Sequence, residues 1–443
     1  MNTTNDPSSN PQTTSHSLTR RRFLETSVIA GAGTLLGTAP FARTRQAPLV
    51  DTPFYKGMCY QPMPFYVDPE HRTQPYSPAI ANTTRIFFGS DIAYNCMEPL
   101  WGTSFTSQSG TTYRGRGDLQ TLKNMGVNLV RLYDWEPRNY HKRFLDRCNT
   151  LGIKVLVPVS NYFLKPDQGY PNRRNLIPGL IGSFSNGEAN DGTDYHPAIA
   201  GIIMGNEPRL SGFTVAECVG FTQDWVSIEQ EQFSGFSMPP IAHPVDFATY
   251  GGQYPAWGFF APLLEGLSGT TTRNLQNRLF LAANTFNDAF YLFHNAQSSG
   301  KGYVQLTYDE FHKPLLFTEI GLDRTKPNYL AVVNMQLSES IAYGAAHPEQ
   351  LLGICHFQFA DKVWKCPTHS CTDSEGAYGT QSHTEDFLPT VNYVDADFTH
   401  FDCKPCAPPC PCVPCDNVPM LPDVLTRNPT YDEVVRNYSI RRP

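Results

Sequence analysis

From residue 54 onward, short apolar and β-branched runs alternate with stretches whose apolar positions recur at helical spacing. The run 127–133 reads as a strand following a helix that ends Lys123-Asn124-Met125-Gly126. Residues 138–150 read as a helix with Phe144, Leu145 and Cys148 on its core face, stopped by Leu151-Gly152. The run 153–159 is the next strand, and 199–205 another, followed by a helix over 215–231. Later strands are expected at 240–245, 279–285, 314–320 and 351–359, with 56–61 opening the series. Eight strands separated mostly by helices predict an α/β fold, a closed (β/α)8 TIM barrel with long strand-end loops. A doubly wound open sheet is the alternative, but no Gly-rich phosphate loop follows any strand.

The flanking regions differ in character. Residues 1–17 are polar, rich in Ser, Thr and Asn, and read as disordered. Thr19-Arg20-Arg21-Arg22-Phe23-Leu24-Glu25 then precedes a weakly apolar run over 28–36, the pattern of a twin-arginine export signal. A soluble amphipathic helix is the alternative, weakened by Gly31, Gly33 and Gly37. The expected organisation is a leader over 1–47, a catalytic barrel over 48–364 and a Cys/Pro-rich extension over 365–443. The signal implies the periplasm, cell envelope or extracellular space, and an uncleaved signal anchor is the one membrane attachment the sequence leaves open.

Charge and composition narrow the partners. The 443 residues hold 34 basic and 41 acidic side chains, a net charge of −7; without residues 1–47 the remainder stands at −10. An acidic chain with no basic block argues against nucleic acid. The chain also carries 28 Phe, 22 Tyr and 5 Trp, and its apolar content is enough for a large packed core, which excludes a disordered or fibrous chain.

Two strands end in a carboxylate. The apolar run 199–204 leads directly into Gly205-Asn206-Glu207-Pro208, and 315–318 into Glu319-Ile320-Gly321. These are strands four and seven, and active sites of such barrels lie at the strands' C-terminal ends. Two carboxylates across a barrel mouth can break a glycosidic bond, one as a protonated acid and the other as an ionised nucleophile. Alone, a strand-end Glu more often caps a loop or pairs with an Arg; the pairing is what points to chemistry. No Ser-His-Asp set or H-E-x-x-H motif appears, so the site calls for no metal and no cofactor.

Asn-Glu ending strand four and Glu ending strand seven resemble the large clan of retaining (β/α)8 glycoside hydrolases. Within it, Lys56-Gly57-Met58-Cys59-Tyr60-Gln61-Pro62, the run 118–133, Gly205-Asn206-Glu207 and Phe317-Thr318-Glu319-Ile320-Gly321 look most like the fungal cell-wall β-1,3-glucanosyltransferases and, less closely, the plant-type β-1,3-glucanases. The resemblance spans about 54–364. It implies Glu207 as acid/base and Glu319 as nucleophile, with Asn206 on the sugar 2-hydroxyl, Arg131 ordering the nucleophile, and Tyr60, Gln61 and Tyr133 lining the same subsite. The sequence departs from the pattern at strand six, where Phe286 stands near the family's Tyr, and at strand eight, where Phe357-Gln358-Phe359 replaces an aromatic–Glu–aromatic string. These departures bear on linkage and on transfer against hydrolysis. A polysaccharide or oligosaccharide substrate follows, with a transglycosylase and a non-catalytic carbohydrate-binding envelope protein as alternatives.

Trp101, Trp135, Trp257 and Trp364 are candidate sugar platforms in strand-end loops, Trp364 foremost; each is also a candidate for loop core. The aromatic run 250–260 could form a cleft wall. His243 after strand five could reach substrate, although a hydrogen-bonded structural histidine fits its position better. Five of the 12 cysteines, Cys403, Cys406, Cys410, Cys412 and Cys415, crowd a Pro-rich stretch, with Cys366 and Cys371 upstream. Disulfides in an oxidising compartment suit them best, with a thiolate metal site or free thiols as alternatives.

Overall fold

The computed structural model describes residues 53–64, 91–92, 98–106, 112–137, 139–164, 173–187, 191–362, 376–388 and 422–439. The leader, Trp364 and the clustered cysteines lie outside the described residues. Eight parallel strands run in chain order: β1 (Tyr55–Cys59), β2 (Leu129–Arg131), β3 (Lys154–Val159), β4 (Ile199–Met204), β5, β6 (Leu281–Thr285), β7 (Leu315–Ile320) and β8 (Leu351–His356). β5 comes in two pieces, Ile241–Ala242 and Pro244–Asp246, parted by His243. Its first piece pairs with β4 and its second with β6, while β1 pairs with both β2 and β8. The sheet is therefore a (β/α)8 barrel, not an open doubly wound sheet.

The strands read as nearly continuous apolar runs because both of their faces are covered. Inward-pointing Leu129, Leu156, Ile203, Ala242, Ala282 and Leu316 fill the bore as one cluster. Their sequence neighbours point outward into a larger core shared with the helices. Those helices include α1 (Asp118–Asn124), α2 (Lys142–Leu151), α3 (Ile177–Ser183), α4 (Val215–Gln232), α5 (Trp257–Leu267), α6 (Tyr303–Phe311) and α7 (Tyr329–Ala346). α4 starts on a capping box in which Thr214 accepts from the Glu217 amide and Glu217 reaches back to Thr214.

Element boundaries shift for local reasons. α2 starts at Lys142 rather than 138, because His141 is tied to Asp91 (2.7 Å) and its ring is stacked 3.7 Å from Trp135, which keeps this stretch in the loop. The stretches that follow β3 and β5 are not loop throughout, since they contain α3 and α5. Strand eight stops at His356, after which the chain turns to meet the C-terminal hairpin, where Ala360 bridges Gln381.

That hairpin joins β9 (Gln381–Phe387) to β10 (Asp423–Arg427) and leads into α8 (Pro429–Tyr438). Two buried ion networks fasten it to the barrel: Arg116 pairs with both Asp118 and Asp423, the latter also bound by His383, and Arg324 pairs with Asp361 beside Ser382. α8 lies against α7, and its Tyr438 hydroxyl donates to the Gly57 carbonyl of β1 at 2.9 Å. Gly126, at φ +85°, permits this approach, since a Cβ there would lie 2.8 Å from the Tyr438 carbonyl. No described helix is long and apolar enough to cross a membrane.

Candidate active site

The two strand-end carboxylates reach the barrel mouth by different local devices. β4 ends in Gly205, at φ +75°, where a Cβ would lie within 2.7 Å of the Leu164 and Asn161 side chains. Glu207 follows in the left-handed region at φ 46°, a conformation that a side-chain-bearing residue adopts only when its surroundings enforce it. Its amide donates to the Pro244 carbonyl of β5 at 2.8 Å. Asn161 clamps the preceding residue, accepting from the Asn206 amide at 2.6 Å and donating to its carbonyl at 2.9 Å.

On β7 the device is a bulge. Phe317 pairs with Ala283 of β6, but Glu319 pairs with the very next residue, Asn284, so Thr318 is the extra residue. Leu316 points into the bore and Phe317 outward; the inserted residue resets the alternation and turns Glu319 back toward the barrel interior. The Thr318 carbonyl accepts from the Cys59 thiol at 3.2 Å, and the Thr318 hydroxyl donates to Asn284 Oδ1 at 2.8 Å.

Glu319 is 1% exposed and is met by Arg131 Nη1 at 3.3 Å and the Tyr133 hydroxyl at 3.0 Å. The other arm of the same guanidinium, Nη2, donates to Asn206 Oδ1 at 2.6 Å, where Asn284 Nδ2 also donates at 3.1 Å. One arginine thus ties the end of β7 to the residue preceding Glu207. Burial foremost, then Cys59 and Glu319, push the Tyr133 phenol well above its usual range against the pull of Arg131, so it stays protonated and donates. Burial pushes the Cys59 thiol up to about 12, which leaves it neutral beneath the site.

The remaining sequence candidates divide. Arg131, Asn206, Tyr133 and Glu319 come together. Gln61 is half-buried at the end of β1, and its Oε1 accepts no hydrogen bond among the described residues. Phe286 joins a ring cluster with Phe357 and Tyr378, at 6.0 and 5.3 Å, on the inner side of the mouth. Tyr60 is a correction: it is fully buried, its hydroxyl donates to Asp118 at 3.0 Å and its ring packs on Phe144 and Phe359, in the layer between barrel and helices. His243 is the hydrogen-bonded structural histidine and not a substrate contact: its Nε2 meets the Thr222 hydroxyl of α4 at 2.9 Å, and burial pushes it down to about 4, so it sits neutral behind the sheet. Trp101 and Trp135 are core residues whose indole N–H groups donate to the Ile92 carbonyl and the Ser183 hydroxyl. Trp257 opens α5 and donates to Thr307 of α6. The aromatic run 250–260 is therefore largely packing, with Phe259 and Phe260 buried.

Sequence reading missed Asn161, Asn284, Lys362 and Tyr378. Asn284 carries the same signal as the two glutamates, a polar residue ending an apolar strand. Asp246 at the end of β5 pairs in register with Asn284 and is held by Arg209 (2.8 Å) and the Tyr250 hydroxyl (3.0 Å), placing a third carboxylate at the rim. Among the described residues no group of three His, Cys, Asp or Glu side chains gathers to hold a metal ion.

No protein-family model matches the chain. No curated protein matches it either. Solved structures similar to it are of Gas2p from Saccharomyces cerevisiae: a point mutant in complex with laminaritetraose and laminaripentaose (14% identity, TM-score 0.46, covering 88% of this chain and 64% of that one). The complex with compound 6 gives 14%, 0.48, 88% and 66%, and that with laminaripentaose 14%, 0.47, 88% and 65%. The chain spans slightly less than two thirds of the length of these structures.

Proposed function

We propose that the chain is a retaining glycoside hydrolase that cleaves a β-glucan-like polysaccharide by double displacement, with Glu319 as nucleophile and Glu207 as acid/base. The observation that supports this most is the buried Glu319 carboxylate, fixed at one oxygen by Arg131 and Tyr133 while the same arginine holds Asn206 beside Glu207. In the first step the Glu319 carboxylate attacks the anomeric carbon, and the bond to the leaving oxygen breaks as Glu207 gives up its proton. In the second, Glu207 takes a proton from water, whose oxygen displaces Glu319 from the sugar. Asn206, with Oδ1 occupied by Arg131 and Asn284, has its amide N–H₂ to offer a sugar hydroxyl. Gln61 offers an acceptor. The ring cluster of Phe286, Phe357 and Tyr378 offers an apolar wall for the C–H face of a pyranose.

The sequence likeness to β-1,3-glucan-active enzymes supports a β-glucan as substrate, and the twin-arginine leader expected from the sequence fits a polymer of the envelope or the surroundings. Incubating wild type, E207Q and E319Q with laminarin, laminaripentaose, lichenan, cellulose and xylan tests the reading. Cleavage of one or more glycans by wild type, lost in both variants, supports it; wild-type rates in either variant overturn it. Products longer than the starting laminaripentaose would show that a sugar, not water, is the preferred acceptor.

A further inference from the structure

We propose that Lys362 is a positioning residue for the Glu319 carboxylate, acting through the Tyr133 phenol; this rests on the reading of Glu319 as nucleophile. Lys362 follows β8 and is only 8% exposed, unusual for a side chain that normally carries its ammonium out to water. Its Nζ lies 5.0 Å from the centre of the Tyr133 ring and 4.8 Å from that of Phe357. The guanidinium carbon of Arg131 lies 3.5 Å from the same Tyr133 ring. Two cations therefore act on one phenol, and the hydroxyl of that phenol donates to Glu319 Oε1.

A cation over an aromatic face is attracted by, and draws on, the ring's π density. On a phenol this makes the O–H a stronger donor, and a stronger donor to a carboxylate favours its ionised form. The backbone from which the ammonium reaches is fixed: the Lys362 amide donates to the Gly376 carbonyl at 3.1 Å, and the adjacent Asp361 is gripped by Arg324. Phe357 is braced by Phe286 and Tyr378. Lys362 thus bears on the nucleophile through the Tyr133 phenol. Among the described residues, the charged and titratable groups facing Glu319 include Arg131, Tyr133 and the buried thiols of Cys59 and Cys355. Those facing Lys362 include Tyr133 and Cys59.

The test is a double-mutant cycle on kcat/KM for a glycan that wild type cleaves. K362M lowers kcat/KM about tenfold, mostly through kcat with KM nearly unchanged, and K362R recovers most of the loss. Y133F lowers kcat/KM by itself, and K362M adds little on top of it. If K362M does not fold, K362Q carries the same expectation. Unchanged kinetics in K362M or K362Q overturn the proposal, as does a full Lys362 effect in the Y133F background. Glycan cleavage by E319Q at the wild-type rate would instead refute the nucleophile reading.

Discussion

The Tyr133 hydroxyl donates to Glu319 Oε1 at 3.0 Å, reaching from the end of β2 to the end of β7. Strand six, where the family resemblance implies a Tyr for this contact, supplies Asn284 and Phe286 instead. In this chain the donor to the carboxylate comes from the end of β2. A hydrogen bond to a charged group contributes about 1.5–3 kcal/mol. Y133F should therefore lower kcat/KM by about tenfold to a hundredfold with the fold intact by circular dichroism. Unchanged kinetics would mean that the phenol does not serve the carboxylate.

Arg131 has two duties, one on Glu319 and one on Asn206. It is fully buried, so removing it strands the carboxylate without its cation. R131M should cost about 3–5 kcal/mol of stability, the usual penalty for breaking a buried pair. R131K keeps the charge but cannot span both partners. It should therefore recover much of the stability and little of the activity, as seen by comparing urea denaturation with glycan cleavage. Equal recovery of both would show that charge alone matters.

Much of this was legible in the sequence. The barrel is legible in the alternation of apolar runs and helices, and Glu207 and Glu319 stand out as carboxylates ending apolar strands, whereas Asn206 and Arg131 come in only through the family resemblance. Tyr60 looked equivalent to Tyr133 because both end strands, but pleat parity separates them. Cys59 points into the bore, so its neighbour Tyr60 points out to Asp118. Parity also sent His243 outward to Thr222. The bulge at Thr318 reverses parity for Glu319, and no local sequence pattern marks it. Lys362 and Tyr378 were invisible because their place depends on chain segments brought back from beyond β8.

The C-terminal helix belongs to the barrel's stability. Tyr438 is 2% exposed, and its hydroxyl and carbonyl bind Gly57 and Lys56 at opposite ends. Y438A opens a cavity against β1 and should cost about 3–5 kcal/mol by urea denaturation. A loss under about 1 kcal/mol would show that α8 is only loosely applied.

Two buried histidines make stability depend on acid. Burial lowers both His243 and His356 to about 4 from an ordinary 6.5, so the folded chain holds them neutral where the unfolded chain protonates them. Their stabilising effect is complete above pH 6.5 and is lost as pH falls toward 4, by up to roughly 3 kcal/mol each. Melting temperatures of wild type should drop across that window, and H356L, whose side chain suits the apolar site, should drop less. Parallel curves for the two proteins would rule out this source of acid sensitivity.

The most direct measurement is the anomeric configuration of the first product. Following laminaripentaose cleavage by ¹H NMR before mutarotation, with E319Q as the blank, should show the β anomer appearing first, as two displacements through a Glu319–glycosyl bond require. An α anomer appearing first, or cleavage by E319Q at the wild-type rate, would contradict the assignment of Glu319 as nucleophile.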